Sequence, residues 1–195
     1  MKKLYQAALQ ALNNHQVIAF PTETVFGFGV FFDDEKAYQL LNQIKRRKED
    51  KPYTLMLHDI DSIEQYAYIK KEQINALRKY MPGPVTLLLK CKDNVPGYVT
   101  HNSGVIGVRI PSNKEALDLL NYLKKPLLVP SANRSDEKPA VNDQEVKDIF
   151  RDEIAVIIPG QSKGGVPSTI IDLTGEEVKL VRPGPISLEE IKKAL

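Results

Sequence analysis

The chain has 195 residues, 42% of them apolar, enough to bury a core of its own and near the upper end of the single-domain range. Its 27 Lys and Arg nearly balance 25 Asp and Glu, and a net charge of +2 excludes a global field of the kind that gathers polyanions, so any anion site must be local. A single cysteine, Cys91, excludes an intrachain disulfide and a thiolate zinc cage and fits a reducing, cytoplasmic compartment; no apolar run approaches the roughly 20 residues of a membrane span.

The N-terminal stretch carries lysines, but Gln and Asn interrupt its apolar run, so it reads as a helix rather than a signal peptide. Leu4, Ala8, Ala11 and Leu12 make one helical stripe, and VIAF at 17–20 is a buried strand that ends at Pro21. The polar segment PTETVFGFG at 21–29 then reads as a loop. Asp33 and Asp34 are candidate caps for a helix bearing Ala37, Leu40, Leu41 and Ile44, which runs into the basic stretch KRRKEDK.

YTLML is a strand, 61–80 two short helices, and MPGP breaks the second before strand VTLLLK. Strand VIGVRI follows. Ser112 with Glu115, Asn142 with Glu145 and Ser187 with Glu190 have capping-box spacing and predict three helix starts. Strands at LLVP, IAVII, TIIDL and VKLV complete a single α/β domain over 1–195, with a twisted mixed sheet between helical layers. Prolines cluster at strand ends, where open α/β sheets place ligands.

Several signatures are missing. GQSKGG is followed by Val166 where a P-loop needs lysine, Gly27 and Gly29 lack the third glycine of a dinucleotide fingerprint, and neither H-E-x-x-H nor G-x-S-x-G occurs. Six polar strand-end segments remain, the first four with two readings each. PTETVFGFG is either a turn or a ligand loop whose glycines allow close backbone approach. The run Lys45, Arg46, Arg47, Lys48 and Lys51 is either a solvated helix end or a phosphate site. Arg109 in GVRIP is either a structural ion-pair partner or a bidentate anion ligand. Ser131 and Asn133 in PSANRS either cap a turn or bond a phosphate or base, and PSTIID and RPGPIS place Ser168 and Arg182 at further strand ends.

In order and wording these segments resemble the YrdC/Sua5 family, in its short single-domain form, across nearly the whole chain. The resemblance implies a twisted sheet with a concave, positively charged active-site surface. It implies threonylcarbamoyl-AMP synthesis from L-threonine, bicarbonate or CO2, and ATP, with Mg2+ accompanying the triphosphate. The product would feed N6-threonylcarbamoyladenosine formation on ANN-decoding tRNAs through a separate threonylcarbamoyl-transferase complex. Residue by residue, Lys45 and Arg47 match the family's K-x-R and imply catalytic positions, with Arg47, Lys51, Ser131, Asn133 and Arg182 at ATP and Thr24, Arg109 and Ser168 at threonine; no protein metal ligand is implied. The chain departs from the family where Phe26 and Phe28 replace frequent Tyr and Leu, Lys48 a common proline, Met56 a frequent histidine and Val105 a threonine.

The implied chemistry requires a carbamate to attack the α-phosphorus of ATP and expel pyrophosphate, which needs fixed cations and alignment rather than a side-chain nucleophile. A competing reading is a double-stranded RNA or tRNA-binding module without catalysis, which predicts steep salt dependence and indifference to amino acids. Another is a different carbamoyl or phosphosugar enzyme on a similar scaffold, from which threonine binding would distinguish this chain.

Overall fold

The computed structural model describes residues 1–47 and 52–195. Among the described residues nine strands form one mixed sheet in the order β7-β1-β2-β6-β3-β5-β4-β8-β9. The strands are β1 (Ile18–Phe20), β2 (Gly27–Phe31), β3 (Thr54–Met56), β4 (Val85–Lys90), β5 (Val105–Arg109), β6 (Leu127–Leu128), β7 (Val156–Ile157), β8 (Thr169–Asp172) and β9 (Lys179–Arg182). The helices are α1 (Lys2–Asn13), α2 (Glu35–Lys45), α3 (Gln73–Tyr80), α4 (Gly97–Thr100), α5 (Lys114–Leu123), α6 (Asp143–Phe150) and α7 (Leu188–Lys192).

Alternation along each strand divides the side chains between two faces. Leu55, Leu87, Leu89, Ile106, Val108 and Ile171 pack on one face against Ala37, Leu41 and Ile44 of α2, Leu77 of α3, and Val146 and Phe150 of α6. Phe20, Phe31, Met56, Leu127 and Val129 face the other way, against Ala8, Ala11 and Leu12 of α1 and Ala116, Leu119 and Leu120 of α5. Those two helices cover the end of this face formed by β1, β2 and β6. Towards β8 and β9 the same face carries Thr54, Thr86, Arg109, Ser168 and Ile170, a polar surface rather than a second core, as the register of β3, β5, β4 and β8 requires.

The helix starts follow from caps. Asp34 accepts from Ala37 N at 3.1 Å, Asn142 from Glu145 N at 2.8 Å, and Ser187 and Glu190 make the reciprocal capping box at α7. Two expectations change. The cap of α5 is Asn113, whose Oδ1 accepts from Ala116 N, and not Ser112; Ser112 N is instead bound to Glu23. The second half of PTETVFGFG is not loop but the fully buried strand β2, antiparallel to β1, because Phe28 and Val30 belong to the core. Lys48 and Lys51 lie outside the described residues. Among the described residues no helix is long and apolar enough to cross a membrane.

Candidate active site

The uncovered polar end of the sheet closes into a cavity of about 140 Å³, lined by Thr24, Arg47, Tyr53, Thr54, Met56, Arg109, Ser131, Ser168, Ile170 and Arg182 among others. Its floor is built by alternation: Thr54 and Met56 of β3, and Ser168 and Ile170 around the start of β8, each sit two residues apart and share a face. The antiparallel partner β9 brings Arg182 opposite Ile170, and Arg109 ends β5 opposite Met56.

Arg109 is the buried cation of the site, only 6% exposed. Its Nη2 donates to Glu23 Oε1 at 2.7 Å and to Thr24 Oγ1 at 3.0 Å, while its Nε is buried without a partner. Glu23 in turn accepts from the backbone N–H groups of Ser112 and Asn113 ahead of α5. The structural ion pair and the ligand-facing position are therefore both present in one arginine. Thr22 donates its hydroxyl proton to Val25 O, so Thr24 must donate to Thr22 Oγ1 at 2.9 Å while accepting from Arg109, which leaves Thr24 one lone pair.

Arg182 clamps Ser168: Nε and Nη2 donate to its carbonyl at 3.1 and 2.8 Å, and Nη2 to its hydroxyl at 3.0 Å. Arg182 lies on the exposed strand β9, but partial desolvation of its guanidinium against Ser168, and then the neighbouring charge of Arg109, lower its pKa from the usual value. Two like charges facing one cavity favour an anion between them. The glycine of RPG is needed for close approach, since a Cβ on Gly184 would lie 2.3 Å from Thr169 N and 2.7 Å from the Ser168 carbonyl carbon.

On the opposite wall Arg46 ends α2 in the left-handed region at φ 50°, which turns the chain so that Arg47 stacks on the Tyr53 ring at 4.2 Å and donates to Pro52 O. Tyr53 is fixed by donating to Asn42 Oδ1 at 2.5 Å, and burial pushes its pKa up. Ser131 lines the same wall. Lys45 and Asn133 lie behind it: Lys45 is 2% exposed and Asn133 is 8% exposed, and neither lines the cavity. Burial, with the charge of Arg47 second, pushes the Lys45 pKa down to about 7.

Of the residues singled out by sequence, Thr24, Arg47, Ser131, Arg109, Ser168 and Arg182 converge on this cavity, Lys45 and Asn133 pack behind its wall, and Lys51 is outside the described residues. Sequence reasoning missed Glu23 and Tyr53. Glu23 stood inside PTET, but a carboxylate pairing with an arginine 86 positions away leaves no local periodic signal. Among the described residues no group of three or more His, Cys, Asp or Glu side chains is placed to hold a metal ion.

The model of the Sua5, YciO and YrdC family, described as telomere recombination, matches residues 10–184. Threonylcarbamoyl-AMP synthase of Pyrococcus abyssi is 36% identical over 182 residues, which are 92% of this chain and 54% of that protein. The crystal structure of P. abyssi Sua5 complexed with L-threonine superposes with a TM-score of 0.93 at 34% identity, over 98% of this chain and 57% of that one. Escherichia coli YciO gives a TM-score of 0.90 at 27% identity, over 98% and 94% of the two chains. This chain thus spans about half the length of the P. abyssi protein and nearly all of YciO. A match over most of its residues, in sequence and in fold, makes the chain a member of the Sua5/YciO/YrdC family.

Proposed function

We propose that this protein makes threonylcarbamoyl-AMP and pyrophosphate from L-threonine, bicarbonate or CO2, and ATP, for the threonylcarbamoyl modification of ANN-decoding tRNAs by a downstream transferase. The observation that carries this reading is the convergence of Arg109 and Arg182 on one cavity, with Thr24 and Ser168 between them and Arg47 with Ser131 across from them. The P. abyssi relative named as the synthase, and its structure with L-threonine, support the same reading.

A cavity of about 140 Å³ suits a small amino acid. It is below the roughly 300–1,000 Å³ of sites that enclose a larger ligand, so the nucleotide would extend across the open rim. The threonine carboxylate would meet the Arg109 guanidinium, and the substrate hydroxyl would donate to the remaining lone pair of Thr24. A site that bonds this hydroxyl rejects an analogue lacking it by more than an apolar pocket does. Met56 supplies an apolar wall where a polar one is frequent in the family.

The threonine amine adds to CO2, forming the C–N bond of a carbamate and releasing a proton to solvent. A carbamate oxygen then attacks the α-phosphorus in line, and the bond from that phosphorus to the bridging oxygen breaks, so that the electron pair leaves with pyrophosphate. Arg47 and Arg182, with Lys51 as the expected further cation, would offset the repulsion between the two anions, while Ser131 lines the nucleotide's side of the wall. Good alignment is worth about 7 to 11 kcal/mol of barrier, which suffices without a side-chain nucleophile. Mg2+ would enter with the triphosphate, whose oxygens are the hard ligands it prefers.

The test mixes purified protein with ATP, bicarbonate and single amino acids and follows pyrophosphate. Release that depends on threonine and exceeds that with serine or valine is expected. Release indifferent to the amino acid would overturn the reading.

A further inference from the structure

We infer that in the K-x-R and S-x-N segments only Arg47 and Ser131 face the nucleotide, and that Lys45 and Asn133 are a buried scaffold that positions them. The inference rests on the nucleotide reading of the cavity and concerns how its wall is held.

The Lys45 ammonium has three donors, and three acceptors surround it: Ser131 O at 2.6 Å, Asn133 O at 2.8 Å and Asn133 Oδ1 at 3.1 Å. All of its hydrogen-bonding capacity is used inside the protein. Asn133 is equally committed. Its Nδ2 donates to Arg134 O and Glu137 O, both at 2.7 Å, and its Oδ1 accepts from Lys45 and, at 2.6 Å, from Ser131 Oγ. Neither side chain can reach a phosphate without leaving buried acceptors unmatched, which is the costly outcome for groups in a low-dielectric interior.

The same contacts fix the two residues that do line the cavity. Lys45 is the last residue of α2, so its grip on the 131 and 133 carbonyls pins the helix end from which Arg47 projects. Ser135 N donates back to Lys45 O at 2.7 Å, and Arg134 donates to Ile44 O while pairing with Glu153 and stacking on Phe150. Helix end and loop are thus joined from both directions. Ser131 is held through its carbonyl by Lys45 and through its hydroxyl by Asn133. Lys45 and Asn133 are positioning residues, acting on the nucleotide through Arg47 and Ser131.

Two measurements test this. Lysine acetylation of the wild-type protein, read by mass spectrometry with and without Mg-ATP, should leave Lys45 unmodified in both states. Modification of Lys45 in the unliganded protein, whether or not ATP suppresses it, would overturn the assignment. The second is ATP affinity by calorimetry for Lys45→Met, Asn133→Ala and the double variant. Each single change should weaken binding by about tenfold or more, the scale of one charge-assisted hydrogen bond, and the double should be no weaker than the worse single by more than about twofold, because the two act as one unit. Penalties that multiply, or single variants that bind ATP normally, would contradict the scaffold. If a variant does not fold, the acetylation result decides. Failure of wild-type protein to bind ATP would instead sink the nucleotide reading on which the inference depends.

Discussion

Glu23→Gln removes one charge and almost no volume from a carboxylate holding three donors: Arg109 Nη2 at 2.7 Å, Ser112 N at 3.1 Å and Asn113 N at 3.4 Å. The side chains of the ion pair are 7% exposed for Arg109 and 15% for Glu23, so water replaces the lost charge poorly. At that separation and an effective dielectric constant near 20 the gross attraction is about 6 kcal/mol, most of it offset by the desolvation both groups have already undergone. Removing one partner of a buried pair costs about 3–5 kcal/mol. Glutamine keeps a carbonyl oxygen for one donor, so the lower end, about 3 kcal/mol, is expected in urea denaturation of the variant against wild type. Arg109 would also lose the partner that fixes its plane, and threonine affinity by calorimetry should fall by about tenfold, the equivalent of one misaligned charge-assisted bond. Stability within about 1 kcal/mol of wild type together with unchanged threonine affinity would refute the argument, because it would mean that Glu23 neither pairs with Arg109 nor orients it.

Gly184→Ala should lower stability and the threonine-dependent rate together, since the new methyl meets the Ser168–Thr169 backbone and displaces the residue that Arg182 clamps; a rate within twofold of wild type would contradict that close approach. Asn142→Ala removes the α6 cap and should cost about 1 kcal/mol in denaturation without changing the threonine-dependent rate. For Lys45 the folded pKa, about 7, lies below the ordinary lysine value of 10.5, so the unfolded chain binds more protons between those values. Stability contributed through this group therefore rises with pH across that window and is level below it. Lys45→Met should remove this limb from the stability profile, measured by urea denaturation across that pH range.

The layered α/β architecture was legible because its signals are local. The stripe of α1, the i, i+3, i+4 pattern of α2, and the caps at Asp34, Asn142 and Ser187 each report one element from its own residues. β2 was misread since Thr22, Glu23 and Thr24 precede it closely and two glycines punctuate it, while its burial on both faces erases any alternation. The glycines there serve packing: a Cβ at Gly27 would lie 2.6 Å from Val129. Ser112 and Asn113 both suit a cap by composition, and only the route of the chain past Glu23 chooses between them. The site was legible as a set of strand-end segments. Which side of the loop each residue faces was not: the inward turn of the Lys45 and Asn133 polar atoms depends on contacts between segments about 88 positions apart.

Incubation of the protein with L-threonine, ATP and carbon-13 bicarbonate, followed by mass spectrometry of the nucleotide fraction, examines the proposed chemistry itself. A species joining AMP to threonine through a labelled carbonyl carbon, lost when Arg109 or Arg47 is replaced by alanine, is the expected result. Wild-type protein that binds ATP and threonine yet yields only unlabelled AMP, or no adduct, would contradict the account.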